Sequence, residues 1–455
     1  MDLHHFDDET QKLADRITQW TIDRMKEDPP PLNGTPSQHD FIDKLNNVIT
    51  PEGLGPEKAF NLFENVIDPS MISLDHPRFL AFVPNAPANA ASLFDLVVSA
   101  SSIFGGTWLE GGAGVAAENQ ALRFLSDLIG FPQSAGGVFV SGGTAANLSA
   151  LMTARHYFRS LRPEMNRTRL AIACTQSVHS SITQAAYAMD VDVLLVRSDD
   201  MERLTGENFA HALTSFSTED RDRLFAVAAS AGTTNSGYVD DLDGVGTLCN
   251  ENDIWFHVDG AYGGAGLLCE KTAPLFIGVE KCDTFVIDPH KWLFSPYDCA
   301  ALIYKEPSLA RETHTQHAAY LDSAVESSDW NPSDYAHHLS RRARGLPFWF
   351  TLAVHGTKAI ADAVTQCMET TYAGAELIRR SPHLELIVEP QLSVLLFRRK
   401  DWDRAQYKTW CQTMIEKEFA FIEPTIYESE TVLRLCIVNP TTTNEDIQLI
   451  VDSLA

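Results

Sequence analysis

Short β-rich apolar runs recur at residues 138–140, 170–174, 193–196, 225–229, 254–258, 284–287 and 300–304, with helical patterns between them. One such helix covers residues 114–129 and is stopped by Gly130 and Pro132. Strands alternating with helices from about 89 to 347 predict a mainly parallel sheet covered by helices on both faces, an α/β fold. Beyond 348 the pattern becomes a long helix, two apolar runs at 384–388 and 393–397, then helix, strand and helix. This predicts a small α+β domain over 348–455. Residues 1–88 carry helical patterns broken by Pro29-Pro30-Pro31 and Asn33-Gly34, with no evident core of their own.

The 455 residues are too many for one small core and suit a large domain with appendages. A net charge of −26 argues against nucleic acid or anionic membranes as partners. The eight cysteines show no metal-like spacing and read as reduced core thiols of a cytoplasmic protein. The acidic, polar N-terminus predicts no signal peptide, and no apolar run approaches the ~18 residues of a membrane span.

Candidate chemistry lies at three strand ends. Lys291, in Asp288-Pro289-His290-Lys291-Trp292, directly follows the run 284–287. Burial there predicts a depressed pKa and a usable amine nucleophile. On these residues alone, an ammonium reaching back to water is an equal alternative. Asp259 ends another apolar run, followed by Gly260-Ala261-Tyr262-Gly263-Gly264. Carboxyl ends of parallel strands are where open α/β sheets bind ligands. Asp259 and Lys291 are separated by about one strand–crossover–strand unit of roughly 30 residues. Third, the run 138–140 leads into Ser141-Gly142-Gly143-Thr144 and a helix beginning near Ala145. Such a turn offers backbone N–H groups and a helix N-terminus to an anion. It is neither a P-loop nor a dinucleotide fingerprint.

Taken together and in this order, these elements resemble the fold-type I pyridoxal-phosphate enzymes, specifically the group II amino-acid decarboxylases. The resemblance runs from about His76-Pro77-Arg78-Phe79 to the C-terminus. It implies that Lys291 carries the cofactor, Asp259 pairs with its pyridinium nitrogen, Ala261 packs against the ring and His179 stacks on it. Gly143, Thr144 and His290 become phosphate contacts, and Thr234 in Ala231-Gly232-Thr233-Thr234 flanks the ring. Asp288 stands where some members carry Asn. The resemblance also implies a homodimer with shared sites, in which residues 1–88 wrap the partner.

In that family the cofactor acts as an electron sink, and a loop tyrosine assists protonation of the substrate carbon after CO2 leaves. Tyr320, in His317-Ala318-Ala319-Tyr320-Leu321, matches this tyrosine; Tyr335 matches less well. Phe82, Pro84 and Asn85 are expected along the substrate pocket. Phe104, Gly106 and Trp108 are expected in its wall, contributed by this chain or its partner. Gly106 stands where aromatic-specific relatives often carry Phe. The substrate implied is an L-amino acid, aromatic by preference, and the product an amine. The alternatives are oxidative deamination to an aldehyde, an aminotransferase using Arg434 to clamp a carboxylate, and a non-catalytic scaffold.

Overall fold

The computed structural model describes residues 3–34, 37–46, 48–317 and 329–455. All seven expected strands form: β1 Gly136–Val140, β2 Ala171–Cys174, β3 Asp192–Leu195, β4 Leu224–Ser230, β5 Trp255–Asp259, β6 Thr284–Ile287 and β7 Ala300–Tyr304. They make one sheet in the order β1-β7-β6-β5-β4-β2-β3. The pairs from β3 through β2, β4 and β5 to β6 are parallel, and β7 runs antiparallel to both its neighbours.

The central strands show no hydrophobic alternation because helices cover both faces. Every residue of β4 is buried. Its Val227 and Ala229 pack into one core, and Ala226 and Ala228 into the other. Helices Trp108–Leu128 and Gly143–Leu161 flank β1 in the chain. The first begins at Trp108, six residues before the predicted start, and is capped by Thr107, whose hydroxyl accepts from Glu110 N–H.

The C-terminal region opens with Leu346–Arg380, where the single long helix expected is two helices meeting at Gly356, whose positive φ of 75° breaks the run. A second, antiparallel sheet follows, in the order β10-β11-β9-β8, formed by β8 Leu384–Leu386, β9 Val394–Arg399, β10 Glu423–Tyr427 and β11 Glu430–Cys436. The single strand expected near the C-terminus is thus a hairpin. Its turn residues Glu428 and Ser429 both have positive φ, the geometry of a two-residue turn. The apolar core is continuous from the large sheet into this smaller one. Helix Asp8–Lys26 buries no residue, in keeping with an N-terminal segment that lacks its own core. All eight cysteines are buried and free. Among the described residues no helix is long and apolar enough to cross a membrane.

Candidate active site

Strands β1, β4, β5 and β6 end at one crevice. The β1 end continues into Gly142-Gly143-Thr144, β4 into Gly232-Thr233-Thr234, β5 into Ala261 and Tyr262, and β6 into Asp288, His290 and Lys291. A cavity of about 220 Å³ lies there, lined by Gly143, Thr144, His179, Thr234, Asp259, Ala261, His290 and Lys291 among others. All eight positions expected around a cofactor therefore share one space.

Lys291 corrects one expectation. Burial is the largest single influence on its amine and pushes its pKa down. The Asp288 and Asp259 carboxylates together outweigh burial, so the net shift is upward. The Lys291 Nζ–Asp288 Oδ2 distance is 3.0 Å, and the Asp288 side chain is 1% exposed. In this state the side chain is a paired ammonium, not a depressed-pKa amine, and must lose a proton before it acts as a nucleophile.

Asp259 is held from two sides. Its Oδ1 accepts from Ala261 N–H at 3.0 Å, and its Oδ2 accepts from Asn147 Nδ2 at 2.7 Å. Asn147 Nδ2 also donates to Ser181 Oγ at 2.8 Å, which commits both amide hydrogens. Asn147 Oδ1 must then accept from His257 Nε2, 2.9 Å away. Burial holds the His257 pKa down at about 4, so its ring is neutral at neutral pH. Its Nδ1 is therefore an acceptor and takes the Thr284 hydroxyl at 2.9 Å, while Thr284 Oγ1 accepts from Trp255 Nε1 at 3.0 Å. At the other end, the Ser181 hydroxyl donates to His179 Nδ1 at 2.8 Å. With Nδ1 accepting, the His179 ring carries its hydrogen on Nε2. One directional chain thus orients both Asp259 and His179.

Asn147, Ser181, His257 and Thr284 were absent from the sequence-based set. Two of the four carry a signal in the sequence. Asn147 lies one helical turn after Gly143, and His257 lies two residues before Asp259, on the same face of β5. Thr284 is His257's register partner on β6.

The expected substrate-pocket residues do not line this cavity. Phe82 is exposed, with its ring 6.0 Å from that of Phe421. Pro84 is buried, and Asn85 donates to Ser295 O at 3.0 Å. Phe104 bridges to Arg342, and Trp108 is exposed. Gly106 has a packing reason to be glycine: a Cβ there would stand 2.6 Å from the Phe104 ring and 2.9 Å from Leu339 O.

Arg434 is buried, with Nε on Thr234 O and Asn235 O, one Nη on Thr234 O and the other on Phe82 O. Its donors bind backbone, which removes it as a free carboxylate clamp. Tyr335 is buried and stacked on Trp330, with ring centroids 4.0 Å apart. Tyr320 lies outside the described residues.

These groups fit pyridoxal phosphate. An amine is available for covalent attachment, and a fixed carboxylate is available for a ring nitrogen. The glycine turn opens a helix whose N–H groups suit a phosphate. Gly143 cannot take a side chain freely, since a Cβ would lie 3.1 Å from Asp288 Oδ2 and 3.2 Å from the Ala261 methyl. The buried Asp288 Oδ1 has no hydrogen-bond partner, so the cavity retains unmet polar capacity.

Comparisons with known proteins agree. Residues 45–400 match the pyridoxal-dependent decarboxylase conserved domain. An aromatic-L-amino-acid decarboxylase from Bacillus atrophaeus is 28% identical over 456 residues, covering 97% of this chain and 93% of the relative. That of Rattus norvegicus is 26% identical over 410 residues, covering 85% and 84%. The crystal structure of Oryza sativa TDC with PLP and tryptamine superposes with a TM-score of 0.91 at 20% identity, over 100% of this chain and 98% of that one. Mouse CSAD superposes at 0.87 with 22% identity, over 98% of each chain. The domain match, the shared fold and a lysine–aspartate cavity at the strand ends lead to one conclusion: the chain belongs to the pyridoxal-dependent decarboxylases, carboxy-lyases that use pyridoxal phosphate on amino acids.

Proposed function

We propose that this protein decarboxylates an aromatic L-amino acid to the corresponding amine. The observation that carries the site assignment is the convergence of Lys291, Asp259 and the Gly143-Thr144 turn on one cavity. Bound pyridoxal phosphate supplies the electron sink that stabilises the carbanion left by departing CO2. Lys291 holds the cofactor covalently between turnovers. Asp259, kept in place by Asn147 and Ala261 N–H, keeps a proton on the ring nitrogen. His179 stacks on the ring and presents Nε2–H as a donor. Gly143, Thr144 and His290 hold the phosphate, while Thr234 and Ala261 flank the ring. Tyr320 assists delivery of the proton that replaces CO2.

The aromatic preference rests on the curated relatives, several of which are named aromatic-L-amino-acid decarboxylases. We further propose three parts, residues 1–88, 89–347 and 348–455, in a cytoplasmic homodimer. Leu93, Leu96 and Val97 form an exposed apolar strip on helix Asn89–Ala100, which suits a partner copy. Phe104, Gly106 and Trp108 would then contribute to the wall of the partner's substrate pocket, with Phe82, Pro84 and Asn85 along the approach to this chain's own. The acidic net charge disfavours nucleic acid and anionic membranes as partners.

The test is release of CO2 and amine from a panel of L-amino acids by the cofactor-loaded protein. Aromatic substrates are expected to give equimolar amine and CO2. Keto acid formed only with an acceptor would favour transamination instead, and no turnover of any substrate would favour a scaffold. In the same assay run under air, Tyr320→Phe should lower amine and raise aldehyde, with dissolved O2 reduced to hydrogen peroxide and the amino group released as ammonia. Unchanged amine output would remove Tyr320 from its role.

A further inference from the structure

Asp288 occupies an anion's place in the cavity. Its Oδ2 accepts from Gly143 N–H at 3.3 Å, faces Lys291 Nζ at 3.0 Å and stands 3.5 Å from His290 Nε2. Its Oδ1 is buried without a partner. Gly143 N–H belongs to the first turn of helix Gly143–Leu161, the helix start read above as the phosphate site. A Cβ on Gly143 would meet both carboxylate oxygens, at 3.1 and 3.4 Å. The carboxylate therefore uses a donor that the phosphate needs, and a phosphate monoester itself carries about −1.5 to −2 charge near neutral pH.

The surroundings do not neutralise two anions. The first turn of the 143–161 helix brings Gly143, Thr144, Ala145 and Ala146, none of them charged. Strand β5 brings a second carboxylate, Asp259. From Asp288's own segment come His290 and Lys291. His290 Nδ1 accepts from Cys299 N–H at 2.9 Å, so a neutral ring turns its Nε2–H toward Asp288. Beyond Lys291, Tyr297 lays its ring 4.7 Å from that of His290, and Asp298 is paired with Arg344. Among the described residues Lys291 is thus the one cation in contact, shared between two carboxylates. Like-charged groups sharing a site resolve the conflict by holding a proton between them.

We propose that Asp288 and the phosphate of the bound cofactor share one proton, so that loading the phosphate draws a proton from solvent. This rests on the Gly143-Thr144 turn being the phosphate site. Asp288 changes from an acceptor paired with Lys291 to one half of a hydrogen-bonded carboxyl–phosphate pair. Oδ1, otherwise orphaned, gains a partner. An asparagine at this position would bind phosphate without needing the proton.

The test uses cofactor-free protein and two probes lacking the aldehyde, 4-deoxypyridoxine 5-phosphate and 4-deoxypyridoxine. Calorimetric titration at pH 8 in buffers of different ionisation heat counts the protons taken up with each. The phosphorylated probe is expected to bind more tightly and to take up about one more proton than the unphosphorylated one. In Asp288→Asn that difference should vanish. The ratio of wild-type to variant Kd should also climb toward tenfold per pH unit between pH 7 and 9. Equal proton uptake by the two probes in the wild type would overturn the proposal, and this comparison stands whether or not the variant folds. No affinity gain from the phosphate would instead overturn the reading of the turn itself.

Discussion

Asn147 is the residue on which the most groups depend. It satisfies His257, Ser181 and one oxygen of Asp259 at once, inside a buried site where an unpaired polar group costs about 1–3 kcal/mol. Asn147→Ala leaves His257 Nε2–H without an acceptor and frees the Asp259 carboxylate to rotate. Thermal unfolding of the cofactor-free variant should show a loss of that size. The cofactor Kd, read from its visible absorption, should weaken together with the stability. A variant matching the wild type in both would mean that the network orients nothing. The Lys291 ammonium teaches a related lesson at the same scale. Its half-buried setting was legible from the apolar run before it. The net charge balance was not, because Asp288 and Asp259 act on it through space, one from the same turn and one from the neighbouring strand.

At the scale of elements, a buried ion pair sets how the chain passes from the large sheet to the C-terminal region. Arg341 donates to both oxygens of Glu118, at 2.7 and 2.8 Å, and to Gly105 O, while Glu118 accepts from Gly345 N–H. The two side chains are 1% and 3% exposed. Helix Trp108–Leu128 is thereby tied to the start of helix Leu346–Arg380. Removing one partner strands a buried charge, so Glu118→Ala should destabilise by about 3–5 kcal/mol. Glu118→Ala combined with Arg341→Met should recover part of that loss in the same denaturant titration. A single variant within 1 kcal/mol of wild type, on the scale of an exposed pair, would contradict the clamp. Elements themselves differed in legibility. The strands of the large sheet announce themselves because burial on both faces makes them continuously apolar. The β10–β11 hairpin does not, because its Glu428-Ser429 turn lacks the Asn or Gly that usually marks positive φ. Asn147 and His257 sit inside apolar helix and strand patterns, where a polar residue reads as an exception until its partners are seen.

For the whole molecule, buried titratable groups set how stability responds to pH. Burial lowers the pKa of His76, His257 and His314 to about 4 and that of His338 to about 3, against an ordinary value of 6.5. In the window between those values the unfolded chain binds more protons, so stability falls as pH drops through it. Asp240 and Asp283 act in the opposite sense. Burial raises them to about 7 and about 6, so the folded state holds their protons and their contribution fades as pH rises from about 4 to 7. Four histidines outweigh two aspartates. The thermal midpoint of cofactor-free protein is expected to rise from pH 4.5 to 6.5 and level off above. A midpoint that falls across that range would show that the aspartates dominate instead.

The whole site turns on one covalent bond. If the cavity at the ends of β1, β4, β5 and β6 is where the chemistry occurs, the cofactor must be attached to Lys291. Borohydride reduction of the cofactor-loaded protein, followed by proteolysis and peptide mass mapping, reads that attachment directly. A pyridoxyl mass is expected on the peptide containing Lys291 and on no other lysine. A label on a different lysine, or an unlabelled Lys291 peptide from fully loaded protein, would contradict it.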